Sequence, residues 1–230
     1  MLCAVIGIGR FGFKLATTLA EKGAEVIAID SDRGLVDEIK DQVSQAVCLD
    51  STDEKALRAV GVQDVDAAVV AIGVNIEASI LTTAILRRLG VGRIIARAMT
   101  KLQGQILQEV GARKVIYLED QMGEQVARSL LAPHVKEHIT LGTGHSLVEL
   151  VPRKTFIGRT IAELDFRARY GVNIIAIEKH IPRVTERGES TYDVKVNDLP
   201  SPNDRIEEGD ILVVVGSNDR IEDLMDEGVE

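Results

Sequence analysis

The fold of this chain is decided by Gly7-Ile8-Gly9-Arg10-Phe11-Gly12, which follows the apolar run Cys3-Ala4-Val5-Ile6 and precedes an amphipathic segment, the apolar run Val26-Ile27-Ala28-Ile29 and then Asp30. The three glycines act in different ways. Gly7 permits a tight turn out of the first strand, Gly9 lets backbone approach a pyrophosphate, and Gly12 lets the next helix pack closely on the sheet. Asp30 lies 21 residues after Gly9, about the separation that sets an acid against a nucleotide ribose. A phosphate would then rest at a helix N-terminus, where unpaired N–H groups and the dipole favour negative charge. The acid would repel a 2′-phosphate, which favours NAD or ATP/ADP over NADP. The bland alternative, that the glycines only make a turn, has to explain the flanking strand, the helix and the distant acid together.

The rest of the first half repeats the pattern. Strands are expected at Cys3–Ile6, Glu25–Ile29, Ala46–Leu49, Ala67–Ile72, Arg93–Ala96 and Lys114–Tyr117, with helices near 10–22, 33–43, 53–60, 76–89 and 102–110. Gly23, Gly61, Gly90 and Gly111 each follow a helical run, where a left-handed cap favours glycine. Six strands alternating with five helices predict an α/β fold, a Rossmann-like doubly wound parallel sheet in the order 3-2-1-4-5-6. One more helix, Glu119–Leu131, is expected to stop at Pro133. The rhythm then changes to strands at 139–141, 146–151, 173–179, 192–196 and 211–215, with a closing helix over Asp219–Met225. The expected organisation is a nucleotide-binding domain over 1–118, a crossover helix and linker over 119–135, and a smaller α+β domain over 136–230.

Composition sets bounds on the partners. Of 230 residues 45% are hydrophobic but only 3% aromatic, without tryptophan, so the cores must be built from Val, Ile, Leu and Ala. That composition suits sheets buried on both faces. Residues 1–118 balance 14 basic against 14 acidic side chains, and the whole net charge of −9 falls on 119–230. An acidic half without a basic stripe argues against nucleic acid. No apolar run approaches the ~18 residues that span a bilayer, and no signal peptide opens the sequence, so a soluble intracellular protein is expected. Cys3 and Cys48 lack metal-ligand spacing and read as small core residues.

Ligands in such sheets gather beyond the carboxyl ends of the strands. Arg10, Asp30, Asp50-Ser51-Thr52, Gly73, Asn75, Glu77, Arg97 and Glu119 stand at those positions. Asp50, Thr52, Asp53 and Glu77 also have plain readings as helix caps or first-turn dipole partners. An NAD-dependent oxidoreductase would need a proton donor beside the nicotinamide. The four histidines, His134, His138, His145 and His180, all lie at or beyond the domain boundary. His134 and His138 could share a metal on a continuous helix, but Pro133 interrupts it. GxSxG, HExxH and Walker A patterns are absent.

These motifs, together with Leu49-Asp50-Ser51-Thr52, Val70-Ala71-Ile72-Gly73 and Ala96-Arg97-Ala98, resemble the regulatory RCK domains of Ktr/Trk-type bacterial potassium uptake systems. In the second half, Ile157-Gly158-Arg159-Thr160-Ile161-Ala162-Glu163-Leu164, Arg169-Tyr170-Gly171-Val172-Asn173-Ile174-Ile175-Ala176-Ile177 and Ile206-Glu207-Glu208-Gly209-Asp210-Ile211-Leu212-Val213-Val214 resemble the C-terminal RCK domain. The resemblance implies a non-enzymatic, cytoplasmic gating subunit that forms dimers and an octameric ring beneath a membrane potassium channel subunit of KtrB/TrkH type. Through that partner it would sit at the inner face of the plasma membrane.

By the same resemblance ATP/ADP or NAD(H) occupies a cleft built from Gly7, Ile8, Gly9, Arg10, Phe11 and Gly12. Asp30 holds the ribose, Asp50 and Ser51 flank the adenine, and Ile72, Gly73 and Arg97 line the walls. Arg10 reaches a γ-phosphate of its own or a neighbouring subunit's nucleotide, and Glu119 holds Mg²⁺ or Ca²⁺ beside it. Charge logic agrees: a carboxylate near a triphosphate is repulsive unless a cation intervenes, and a guanidinium gains most where phosphate is added. Either residue could instead form an ordinary intersubunit salt bridge. The family often has Ala where Ser51 stands. Arg167, Asn173 and Ile174 resemble a cyclic di-AMP site, although the acidic charge of that half disfavours a dianion. An NAD-dependent oxidoreductase and a nucleotide-independent scaffold are the competing expectations.

Overall fold

The computed structural model describes residues 1–131, 134–184 and 190–226. The chain divides into two compact units, Met1–Gly123 and Glu124–Glu230.

In the first unit six strands alternate with helices: β1 Leu2–Ile6, α1 Arg10–Glu21, β2 Glu25–Asp30, α2 Arg33–Ile39, β3 Gln45–Cys48, α3 Glu54–Ala59, a short 3₁₀ turn, β4 Ala67–Val70, α4 Ile76–Arg88, β5 Ile94–Arg97, α5 Lys101–Val110 and β6 Lys114–Ile116. The strands pair in parallel in the order β3-β2-β1-β4-β5-β6, as the sequence predicts. The reversal of order between β1 and β4 opens a crevice at their carboxyl ends. Strand alternation loads both faces of the sheet. Ala4 and Ile6 of β1 join Ile29, Leu86, Ile94 and Leu107 in one core, while Val5 joins Ile8, Ala16, Val26 and Ile39 in the other. Each fully buried Ile or Leu contributes roughly 2 kcal/mol of hydrophobic stabilisation. Gly23, Gly61, Gly90 and Gly111, read as helix stops, all take positive φ.

Some boundaries differ from expectation for local reasons. α2 ends at Ile39 rather than near 43, because the chain turns there and the Ser44 hydroxyl accepts a hydrogen bond from the Val26 N–H. Cys3 is buried as expected, but Cys48 is exposed. Its strand, β3, is one of the two edge strands of the sheet, and its thiol donates to the Ser31 carbonyl.

Helix α6, Leu118–Leu131, contains the boundary between the units. Pro133, expected to end it, lies outside the described residues. In the second unit β7 Val135–Thr140, β8 His145–Leu150, β9 Asn173–Val184, β10 Ser190–Asn197 and β11 Ile211–Ser217 form an antiparallel sheet ordered β10-β9-β11-β8-β7. Between β8 and β9 lie α7 Ile161–Leu164 and α8 Phe166–Arg169, and α9 Asn218–Asp226 follows β11. The sequence reading misses α7 and α8, since four-residue helices show no periodicity. Yet a capping box marks the start of α7: the Thr160 hydroxyl accepts from the Glu163 N–H, and the Glu163 carboxylate accepts from the Thr160 N–H. β9 runs on from the expected 179 to Val184 and β10 spans Ser190–Asn197 rather than 192–196; the two strands pair antiparallel with each other, Ser190 opposite Val184 and Asn197 opposite Ile177, a pairing between strands that no local pattern in either reports. Phe156 meets Phe166 and Tyr170 edge to face at the core of this unit, with Phe156 and Phe166 centroids 5.2 Å apart.

His138 sits on strand β7, not a helix, and its Nε2 bonds the Ser146 hydroxyl at 2.9 Å. The helical pairing with His134 is therefore not formed. No cluster of three or more His, Cys, Asp or Glu fit to hold a metal occurs among the described residues. Nor is any helix among them long and apolar enough to cross a membrane.

Lys179 ties β9 to the turn before β11. Its ammonium lies 2.9 Å from Glu207 and 3.2 Å from Asp210, whose side chain is 3% exposed. Burial lowers the Lys179 pKa, but the hydrogen bonds to Glu207 and Asp210 outweigh it and hold the value above normal. Because the folded pKa is the raised one, this tie is fully stabilising below the unfolded value near 10.5 and is lost as pH rises through the folded value. Thermal unfolding followed between pH 9 and 12 should show an alkaline loss of stability that is smaller in Lys179→Met than in the parent.

Candidate functional site

The crevice at the carboxyl edge of the parallel sheet is a cavity of about 520 Å³. Among the residues singled out from sequence, Gly7, Gly9, Asp30, Asp50, Ser51, Ile72, Gly73 and Arg97 line it. They come from the ends of five different strands, so only the sheet's strand order brings them together. That volume is ample for a small-molecule ligand.

The glycine loop is held by steric constraint. Gly7 has φ +93°, and a Cβ there would lie 2.9 Å from the Ile72 nitrogen. A Cβ on Gly12 would lie 1.8 Å from the Gly7 carbonyl oxygen, so α1 rests directly on the turn. A Cβ on Gly9 would meet nothing within 4 Å. The space over Gly9 is open to the cavity, where the fingerprint requires room for a ligand.

Asp30 links the loop to the neighbouring strand. Its Oδ2 accepts from the Ile8 N–H at 2.6 Å, and its Oδ1 accepts from the Asp32 N–H at 2.9 Å. Charge-assisted bonds of this kind contribute about 1.5–3 kcal/mol. Ile8 itself is buried behind the loop, and its part in the site is its backbone N–H.

Asp50 is shaped by its own turn: the Thr52 N–H and hydroxyl donate to Oδ1 at 2.9 and 2.7 Å. The backbone bond first, then the hydroxyl, hold this carboxyl below its usual pKa against a small opposing effect of burial. The Ser51 hydroxyl is turned away from the cavity toward Thr82 of α4. Asp53, read as helix-terminal, accepts from the first turn of α3; Asn75, singled out as a strand-end residue, lines the cavity and also caps α4 by accepting from the Ala78 N–H.

Arg97 is the one cationic side chain in the cavity wall among the described residues. Its guanidinium packs against Gly73, where an added Cβ would stand 2.8 Å from Nη1. Nη2 is ion-paired with Glu119 in the first turn of α6, while the buried Nε has no partner among the described residues. Glu119 thus stands outside the cavity lining and reaches it through Arg97. Arg10, the first residue of α1, is exposed and makes no ion pair among the described residues. Phe11 is half-buried outside the lining. In the second unit, Arg167 is exposed on α8, and Asn173 and Ile174 begin β9.

The sequence reading missed Ser31, Leu35, Val74 and Ala78 as wall residues. Leu35 could have been found from its place on the sheet-facing side of α2, and Ser31 from its adjacency to Asp30.

A glycine loop, an acid on the second strand and a crevice at the switch in strand order define a Rossmann-type nucleotide-binding α/β domain, here followed by an antiparallel second domain. The TrkA-N domain family matches residues 3–118 and the TrkA-C domain family residues 146–227. The chain is 40% identical over 214 residues to the Ktr system potassium uptake protein C of Bacillus subtilis (strain 168), covering 93% of this chain and 91% of that protein. It is 34% identical to the Ktr system potassium uptake protein A of the same organism, covering 98% and 96%. The chain belongs to the TrkA-N/TrkA-C family of Ktr-type potassium uptake proteins. Among solved structures, the GsuK RCK domain shares its fold at TM-score 0.65 and 21% identity, covering 100% of this chain and 47% of that one. The GsuK channel bound to NAD is similar at TM-score 0.61 and 20% identity, covering 95% and 37%.

Two substitutions separate packing from access. Gly12→Ala should lose more than about 3 kcal/mol, since its methyl would overlap the Gly7 carbonyl. Gly9→Ala should lose about 1 kcal/mol, the cost of a poorer helix N-cap. Urea unfolding measures both.

Proposed function

We propose that this chain is the cytosolic, nucleotide-sensing regulatory subunit of a potassium uptake system. Adenine nucleotide, ATP/ADP or NAD(H), binds in the cavity, and occupancy alters the conformation of a homo-oligomer docked on a membrane channel subunit of KtrB/TrkH type. The observation that carries this reading is the cavity itself: Gly7, Gly9 and Asp30 converge on it in a chain matching the Ktr proteins along nearly its whole length. The NAD in the GsuK channel structure supports the ligand class.

Within this reading the pyrophosphate lies over Gly9 at the start of α1, Asp30 takes the ribose, and the base lies toward the Asp50-Ser51 turn. Arg10 takes a terminal phosphate of its own or a neighbouring subunit's nucleotide, a role supported by its exposure at the first turn of α1. Glu119 is the residue for Mg²⁺ or Ca²⁺ with ATP, and a cation there competes with Arg97 for the carboxylate. Assembly into dimers and an octameric ring is supported by exposed apolar residues: Met122, Val126 and Leu130 recur every four residues along α6, and Ile76, Leu81, Leu102 and Ile106 stand exposed on α4 and α5. A second ligand, cyclic di-AMP, is assigned to Arg167, Asn173 and Ile174. A regulatory role without turnover is supported by the chain's likeness to the Ktr system potassium uptake proteins.

Calorimetric titration with ATP, ADP, NAD and NADH, with and without Mg²⁺ or Ca²⁺, tests the reading. Binding should raise the melting temperature, by the equivalent of about 2.7 kcal/mol at a hundredfold excess over Kd, and Gly9→Ala should weaken it. Absence of any nucleotide response, or steady NADH oxidation with a small substrate, would overturn it. Arg10→Ala should lose most preference for ATP over ADP while retaining ADP affinity; equal losses refute the role of Arg10. Cyclic di-AMP should bind the parent and bind Arg167→Ala more weakly by about tenfold.

A further inference from the structure

Helix α4 buries three hydroxyl side chains, Ser79, Thr82 and Thr83, each fully inaccessible. A hydroxyl in mid-helix ordinarily satisfies itself on the carbonyl of the preceding turn. Thr83 does so, donating to the Ser79 carbonyl at 2.7 Å. Thr82 does not. Its Oγ1 lies 2.7 Å from the Ser51 hydroxyl and 3.3 Å from the Ser51 carbonyl oxygen, across 31 residues of sequence.

The proton count fixes the direction of both bonds. Each hydroxyl has one proton to donate. The Ser51 carbonyl can only accept, so Thr82 donates to it. Ser51 must then donate its own proton to Thr82 Oγ1. The result is a closed pair of bonds in which one threonine on α4 holds both the side chain and the carbonyl of Ser51. These groups are buried, and Ser51 is 9% exposed at the wall of the cavity.

Ser51 lies beyond β3, and β3 is the neighbour of β2, which ends in Asp30. A nucleotide with its ribose on Asp30 therefore extends its base over the Asp50-Ser51 turn. The remainder of that turn is tied to itself, by Thr52 to the Asp50 carboxylate and by the Asp53 N–H to the Asp50 carbonyl. Its anchor to the rest of the domain at Ser51 is Thr82.

We infer that Thr82 is a positioning residue for base recognition: through Ser51 it sets the turn against which the nucleotide base is read, without touching the ligand. This rests on the nucleotide reading of the cavity. With Thr82 in place the Ser51 hydroxyl and carbonyl are spent on α4, so the turn presents one fixed backbone face to the base. Without the Thr82 hydroxyl the Ser51 hydroxyl is free to rotate toward the cavity, and its carbonyl is left buried and unpaired.

Thr82→Val keeps the shape and removes the hydroxyl, and Thr82→Ser restores it. Calorimetry with ATP and GTP on the full chain, alongside circular dichroism and melting curves, gives the test. Thr82→Val should bind ATP about five- to tenfold more weakly with GTP affinity little changed, so the ATP/GTP ratio falls, and Thr82→Ser should recover the ratio. Should Thr82→Val not fold, Ser51→Ala gives the milder version, since the Thr82 bond to the carbonyl survives. An unchanged ratio in a folded Thr82→Val or Ser51→Ala variant, or equal losses for both nucleotides, overturns the assignment of Thr82 while the nucleotide site stands. Failure of the parent chain to bind any nucleotide overturns the site reading and this inference with it.

Discussion

The contact on which the first domain depends is the approach of Gly12 to the Gly7 carbonyl, closer than any side chain allows. It lets α1 press on the turn out of β1, and Ala71 of the adjoining strand end packs against the same spot. The helix N-terminus is thereby aimed into the crevice between β1 and β4, with Gly9 left uncovered. Everything else in the cavity wall is arranged around that fixed corner. β2 brings Asp30 to it from one side, and the end of β4 brings Ile72 and Gly73 from the other.

Much of this was legible in the sequence, and the parts that were not share a cause. The strand order, the glycine stops and the cluster of strand-end residues follow from periodicity and spacing, which the parallel sheet reports strongly. What hid were features whose signal lies in pairing across space. Cys48 reads as core because its strand is apolar, yet the strand stands at the sheet's edge and exposes it. Nothing local separates Thr82 from Thr83, although one bonds within its own helix and the other holds Ser51. Glu119 stands outside the cavity lining, and its ion pair with Arg97, which depends on where β5 and α6 begin and end, has no signature in the sequence. In the second domain, α7 and α8 are too short to carry a period; the Thr160 and Glu163 capping box marks only α7, and α8 starts on the Asp165 cap.

The electrostatics of the cavity are economical. Two carboxylates, Asp30 and Asp50, and one guanidinium, Arg97, line it. Both acids are satisfied by local N–H or hydroxyl donors. The cation is shared with Glu119 on α6 and retains a buried Nε without a partner among the described residues. An anion entering the cavity therefore meets the cationic side chain of its wall already paired with a residue of α6.

Asp30 uses one lone pair on each oxygen for the Ile8 and Asp32 N–H groups, and a carboxylate has about four such positions. Two acceptor positions thus stay available to a pair of vicinal hydroxyls without any existing bond being broken. Hydroxyls bound there would add to the bonds from the Ile8 and Asp32 N–H groups rather than replace them, so this corner of the glycine loop can stay fixed as the cavity fills. The place in the wall where a bond would have to be exchanged rather than added is the guanidinium of Arg97, already paired with Glu119 of α6.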